Sequence, residues 1–229
     1  MLVMDGVMGS KAGAGVWQRI VSEMPPHRFY VEAFAGAAVV YRRKRGCELS
    51  LLIERDVDRL APLAAVLQDR DYVVCGDAIT ILPGLGLGSD ALVYADPPYP
   101  LGSRRGRRRL YRYEMTDDDH RRLCRCLRSL RCAVMASTYA NAIYARELAD
   151  WRVVTISTTV RGGGGSCELL YCNFPETDWR HDVRFVGHNY RERERIRRRV
   201  RRWVSMFRAM TPAERAACRA ALDDDRGHR

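Results

Sequence analysis

The run Ala91-Leu92-Val93-Tyr94-Ala95 ends in Asp96-Pro97-Pro98-Tyr99, and this junction constrains the fold more than any other stretch. A short apolar run bounded by turn residues reads as a buried strand, and two successive prolines have no N–H with which to continue its ladder. The chain must leave the sheet there, presenting one carboxylate, a rigid pair of carbonyls and one aromatic ring. In open α/β sheets that edge is where ligands bind.

Further strand-like runs recur between helical patterns. Phe29 to Phe34, Leu49 to Ile53 and Tyr72 to Cys75 precede the proline junction; Ala133 to Ala136, Val153 to Thr159 and Glu168 to Phe174 follow it. Helix candidates between them are Gly15 to Met24, Ala37 to Arg45, Pro62 to Arg70, Asp117 to Leu130 and Ala140 to Leu148. Thr116 is a suitable N-cap for the fourth, and Asp117 to Asp119 complement its dipole. The alternation predicts an α/β sheet with right-handed crossovers. Gly162 to Gly165 predicts a hairpin with a flexible tip. After Pro175 the pattern changes: Ile196, Val200, Trp203, Phe207 and Met210 recur at helical spacing among arginines, an apolar stripe expected to be packed. Thr211-Pro212-Ala213-Glu214 then opens a last helix. The expected division is a main domain over 1–175 and a basic helical appendage over 176–229.

A formal charge of +11 favours a polyanionic partner. Lys11 and Lys44 are the only lysines, so the arginine bias carries less weight than where the arginines cluster. The start of the chain lacks the basic and apolar regions of a secretory signal, no apolar stretch approaches the ~20 residues of a membrane span, and Cys124, Cys126 and Cys132 lack a fourth ligand at zinc-like spacing. These features predict a soluble cytoplasmic protein with reduced cysteines, no membrane contact and no metal.

Glu32-Ala33-Phe34-Ala35-Gly36-Ala37-Ala38 is a strand end followed by small residues, which let backbone approach a ligand closely. Glu54 ends the second strand, where an acid suits two ribose hydroxyls; Asp77, after the third, could accept from an adenine amine. At the proline junction, a carboxylate beside a stiffened carbonyl can accept both hydrogens of an exocyclic amine while the ring stacks on its base. That equipment suits methylation of a nucleobase amino group.

Taken in order, these stretches resemble the Dam-like class of DNA adenine-N6 methyltransferases, particularly short phage-type members. The matching residues are Met8-Gly9-Ser10-Lys11, Tyr30 to Ala37, Tyr94 to Tyr99, His120 with Leu123, Ala136-Ser137-Thr138-Tyr139, and Arg161-Gly162-Gly163 leading to Glu168 to Asn173. The resemblance implies a Rossmann-like class I fold with S-adenosylmethionine over Phe34 and Gly36, Glu32 among the cofactor-binding residues, Glu54 on the ribose and Asp77 near the adenine. It implies that Lys11 lies by the cofactor or target pocket. Asp96 and the Pro97 carbonyl would accept the amine hydrogens of a flipped adenine, with Pro98 stiffening the turn and Tyr99 stacking on the base. It places the protein in a bacterial or phage-infected cell.

Two departures stand out. Ala38 replaces the family's second glycine, a change tolerated if its φ is negative and otherwise one that could crowd the cofactor. Between Asp58 and Asp77 there is room for one helix only, where longer members insert a target-recognition domain. Two basic segments are candidates for phosphate contact instead: Arg104, Arg105, Arg107, Arg108 and Arg109 with Tyr111, Arg112 and Tyr113, and the helix from Arg191 to Arg202. RNA adenine methylation and a catalytically silent nucleic-acid-binding homologue are the rival readings. Cytosine-amine methylation would use similar chemistry, whereas ring-carbon methylation is disfavoured by the lack of a Pro-Cys nucleophile motif.

Overall fold

The computed structural model describes Lys11 and residues 15–104, 109–160 and 164–227. Two compact units divide the chain, Met1–Phe185 and Val186–Arg229.

The first unit is built on a seven-stranded sheet. Its strands are β1 (Phe29–Ala33), β2 (Leu49–Glu54), β3 (Tyr72–Cys75), β4 (Ala91–Ala95), β5 (Ala133–Tyr139), β6 (Arg152–Val160) and β7 (Gly164–Cys172), in the order β3-β2-β1-β4-β5-β7-β6. The first five are parallel, and β7 runs antiparallel between β5 and β6. β4 is central, and all five of its residues are buried, as expected of an uninterrupted apolar run. β3 lies at the edge and is largely exposed.

Alternation along the strands sends Tyr30, Leu52, Leu92 and Tyr94 to one face and Val31, Ile53, Val93 and Ala95 to the other. The first face is covered by α1 (Val16–Glu23), α2 (Val39–Arg43) and α3 (Leu60–Ala64), through Ile20, Val40 and Leu63. The second is covered by α4 (Ala78–Ile81), α5 (Asp117–Ser129) and α6 (Ala142–Glu147), through Ala78, Leu123, Leu127 and Tyr144. Thr116 caps α5 in a full capping box with Asp119.

Strand order reverses between β1 and β4, because the chain goes outward from β1 to β3 and then returns to the other side of β1. That switch opens a crevice at the carboxyl ends of β1 and β4. The segment ending in Asp96 empties into it.

Three local features differ from the sequence reading. Ala38 has φ 49°, not a negative value, and Phe34 has φ 63°. Gly164 and Gly165 are strand residues paired with Val160 and Thr159; the ladder overrides their low strand propensity, while residues 161–163 lie outside the described chain. Residues 176–185 return to the first unit: the His181 N–H donates to the Met24 carbonyl at 3.0 Å, and Asp182 accepts from the Arg45 N–H at 3.0 Å.

The second unit contains α7 (Tyr190–Ala209), capped by Asn189, and α8 (Pro212–Gly227), whose Glu214 completes a box with Thr211. Val200 and Trp203 are exposed, contrary to the packed stripe expected of α7.

Candidate active site

The turn after β1 shapes the floor of the crevice. Phe34, Gly36 and Ala38 all take positive φ, so the chain coils tightly before α2 begins. A Cβ on Gly36 would meet only the Phe34 carbonyl at 3.8 Å, so conformation, not space, is what demands glycine. The Ala38 side chain is fully buried on the α1 side of the sheet rather than in the cavity.

Glu54, at the end of β2, pins this turn. Its two oxygens accept from the Gly36 and Asp56 N–H groups, each at 2.8 Å. A carboxylate has about four acceptor positions, so two remain for a diol. Asp77 caps α4, accepting from the Ile79 N–H at 3.3 Å and the Thr80 hydroxyl at 3.2 Å. Together with Phe34, Gly36, Asp96 and Tyr111, these acids line a cavity of about 490 Å³. That volume is in the range of small-molecule and cofactor sites. Glu32 also lines it, although Glu32 Oε2 is engaged by the Tyr30 hydroxyl at 2.8 Å and the Tyr41 N–H at 2.7 Å. Burial outweighs these two bonds and pushes the Glu32 carboxyl up to about 7.

Asp96 continues the β1 ladder by one bond, its N–H reaching the Ala33 carbonyl at 3.3 Å, before the prolines end it. Pro97 is buried and Pro98 lines the cavity. Lys11, 5 % exposed, places its ammonium 2.7 Å from Asp96 Oδ1 and 3.1 Å from Glu168 Oε2. It also donates to the Tyr99 hydroxyl, which in turn donates to Glu168 Oε2 at 3.0 Å. Burial disfavours the charge on this lysine, but Asp96 and Glu168 outweigh it and hold it a cation above the usual lysine range. Asp96 is raised to about 6, chiefly by burial; Lys11 opposes the rise and Glu168 adds to it. One cation between two carboxylates leaves this cluster short of positive charge.

Tyr99 sits differently from a ring waiting for a base. It is 8 % exposed, lies edge-on to Tyr139 with centroids 4.6 Å apart, and has the Lys11 ammonium 4.7 Å from its centroid. Phe34, Tyr111 and Tyr113 are the aromatic residues that line the cavity with Asp96 and Pro98.

The basic loop divides in two. Arg104 departs from its expected place on a phosphate: it is buried, and it forms a bidentate pair with Glu114 at 2.8 Å for both bonds. Glu114 also accepts from the Leu110 and Tyr111 N–H groups, so the pair fixes the loop that carries Tyr111. Arg109 is exposed, and Arg105, Arg107 and Arg108 lie outside the described residues. Tyr113 lines the cavity with the Arg55 and Arg112 guanidinium groups 5.0 and 5.6 Å from its ring.

The sequence reading gave no role to Glu168. Its signal was an acid inside the apolar strand Cys167-Glu168-Leu169-Leu170, and the antiparallel register places it opposite Tyr139 at the end of β5. His120 is a core residue, fully buried with Nδ1 3.2 Å from the Tyr144 hydroxyl. Among the described residues no cluster of His, Cys, Asp or Glu could hold a metal ion, and no helix is long and apolar enough to cross a membrane. All eight cysteines are free thiols.

No family model matches the chain, and no curated protein matches it. Solved structures do. A protein from Streptococcus mutans provisionally named a SAM-dependent methyltransferase is 10% identical over 69% of this chain, with a TM-score of 0.51. The chain has the class I S-adenosylmethionine-dependent methyltransferase fold. It spans 47% of the streptococcal protein. A protein from Pyrococcus horikoshii provisionally named an RNA methyltransferase is 14% identical, covering 67% of this chain and 75% of its own, at a TM-score of 0.44. TrmN from Thermus thermophilus is 16% identical, covering 68% and 46%, at 0.45.

Proposed function

We propose that this protein is a DNA adenine-N6 methyltransferase of the Dam-like class that uses S-adenosylmethionine. The observation that carries the reading is Asp96: a carboxylate placed by the β4–proline junction at the floor of the switch-point crevice, with Lys11 on one of its oxygens.

The cavity suits the cofactor. Glu54 faces it with acceptor capacity left for a ribose diol, Gly36 brings backbone close, and Asp77 and Glu32 offer further acceptors. When bound, the cofactor supplies an activated methyl group on a sulfonium. The protein's residues then position and accept. Adenine's amine is a weak nucleophile because its lone pair is delocalised into the ring. Asp96 accepts one amine hydrogen, and the Pro97 carbonyl is assigned the other, which favours a tetrahedral nitrogen with its lone pair aimed at the methyl. As the new N–C bond formed and the methyl–sulfur bond broke, its electron pair staying on sulfur as a neutral thioether, the nitrogen would gain positive charge and pass its proton to Asp96, which burial makes a better base than an ordinary aspartate. Lys11 keeps Asp96 oriented throughout. Positioning supplies most of the remaining acceleration. With Tyr99 held in the ion cluster, stacking on an extruded base is assigned to Tyr111, one of three aromatic residues lining the cavity.

The test is methyl transfer from labelled S-adenosylmethionine to unmethylated DNA and, separately, to RNA, followed by digestion and mass spectrometry of the nucleosides. The reading expects label in 6-methyladenine from DNA. Label confined to RNA would replace the substrate, and no cofactor binding at micromolar concentration would favour a silent homologue.

A further inference from the structure

The helix α7 carries nine arginines against two glutamates within Tyr190–Ala209. A chain rich in arginine could show such a count by composition alone, and its other helices provide the comparison. α8 has three arginines against four acids, and α5 has four against three. Positive charge is therefore concentrated in α7.

Its placement is ordered as well. Arg191, Arg195, Arg198 and Arg202 recur at steps of four, three and four residues, which stacks them on one face of an α-helix. All four are exposed. Ile196, Val200, Trp203 and Phe207 form a second stripe on the opposite side. Acidic relief on the basic face is slight: Glu192 Oε1 lies 3.4 Å from Arg195, an exposed pair that contributes little. Glu194 pairs with Arg197 at 2.6 Å, off this face. Arg198 Nε lies 3.4 Å from the Glu194 carbonyl, and no carboxylate among the described residues forms an ion pair with it.

We propose that the Arg191–Arg195–Arg198–Arg202 face of α7 is a binding surface for the phosphate backbone of a nucleic-acid duplex, supplying sequence-independent affinity. The stripe is about 16 Å long at 1.5 Å per residue. A duplex carries one charge per about 1.7 Å, so a segment of that length offers on the order of ten phosphates. Guanidinium groups match phosphate oxygens in geometry as well as charge. The proposal rests on the nucleic-acid reading of the partner. It gives an affinity role to a surface other than the loop after Tyr99, whose Arg104 is taken up by Glu114.

The test uses the full chain with all four arginines changed to glutamine, and a second variant with all four changed to lysine. Binding to a fluorescent 30-base-pair DNA duplex is measured by anisotropy over a range of NaCl, with helicity and S-adenosylmethionine binding as checks on folding. The glutamine variant should bind at least about tenfold more weakly at low salt, and its slope of log K against log salt should be shallower by roughly three to four. The lysine variant should keep most of the slope. An unchanged slope in a folded glutamine variant overturns the proposal, as does failure of the wild type to bind duplex. The two readings separate cleanly. Arginine-dependent binding without methylation would overturn the enzymatic reading alone, and methylation with an unchanged slope would overturn this surface alone.

Discussion

The Lys11 ammonium lies 2.7 Å from Asp96 Oδ1, joining a residue near the start of the chain to the end of the central strand. Glu168, from the antiparallel strand β7, touches the same ammonium at 3.1 Å, and Tyr99 bonds to both Lys11 and Glu168. The protonation state of Asp96 is thus set by burial and by two opposing neighbours. The charge of Asp96 is also felt by Tyr94, Tyr99, Tyr111 and Glu32, each of which it pushes toward its protonated form.

The proposed mechanism requires Asp96 as a carboxylate, so kcat/KM for transfer should rise with pH through about 6, where Asp96 is held in the ligand-free protein. Lys11→Met removes the cation that lowers this value, and the acid limb of kcat/KM should move to higher pH. Glu168→Gln removes an anion that raises it, and the limb should move to lower pH. A purely structural role for Lys11 and Glu168 would lower the plateau and leave the midpoint alone. Single-turnover rates between pH 5 and 9 distinguish the two.

Glu32 gives a stability test. Its folded value of about 7 lies above the ordinary 4.5, so the folded state binds its proton more tightly than the unfolded state. That contribution is full below 4.5 and is lost as pH rises through 7; a shift of this size is about 3 kcal/mol at complete titration. Glu32→Gln keeps a carbonyl for Tyr30 and Tyr41 but has no charge to bury. Its stability relative to wild type should increase from pH 5 to pH 8.5 in denaturant titrations of the ligand-free protein.

Much of this architecture was legible in the sequence because the strands are apolar and their ends are punctuated. Tyr72 to Cys75 and Ala91 to Ala95 are strands with the expected bounds, and Thr116 caps α5 as expected, with Asp119 completing a capping box that the sequence reading did not name. The acids Glu54 and Asp77 could be placed because strand order alone puts them at one sheet edge. What could not be read depends on contacts between distant segments. The Lys11–Glu168 pair needs the β5–β7 register, and the buried Arg104–Glu114 pair looks in sequence like part of a solvated basic loop. The packing of Tyr99 against Tyr139 likewise has no local signal. The sign of φ at Ala38 is set by how the turn must coil to let Gly36 reach Glu54.

Ala38 tests that last point. A left-handed conformation costs a non-glycine residue roughly 1–2 kcal/mol, while removing its buried methyl costs about 0.8 kcal/mol and extra unfolded-state freedom about 0.4–1 kcal/mol. These nearly cancel, so Ala38→Gly should remain within about 1 kcal/mol of wild type. Ala38→Val places a β-branched side chain at positive φ in a closed core and should destabilise by at least about 2 kcal/mol. Urea unfolding of the three proteins checks the order, and a stable valine variant would show that the turn does not need its left-handed residue.

In the proposed mechanism Asp96 accepts the amine hydrogen of the adenine being methylated. The most direct test is single-turnover transfer by Asp96→Asn, with S-adenosylmethionine and DNA affinities measured on the same protein. Transfer should be slower by at least about a hundredfold, with both affinities within a few-fold of wild type. Transfer at near wild-type rate by the folded variant would contradict it.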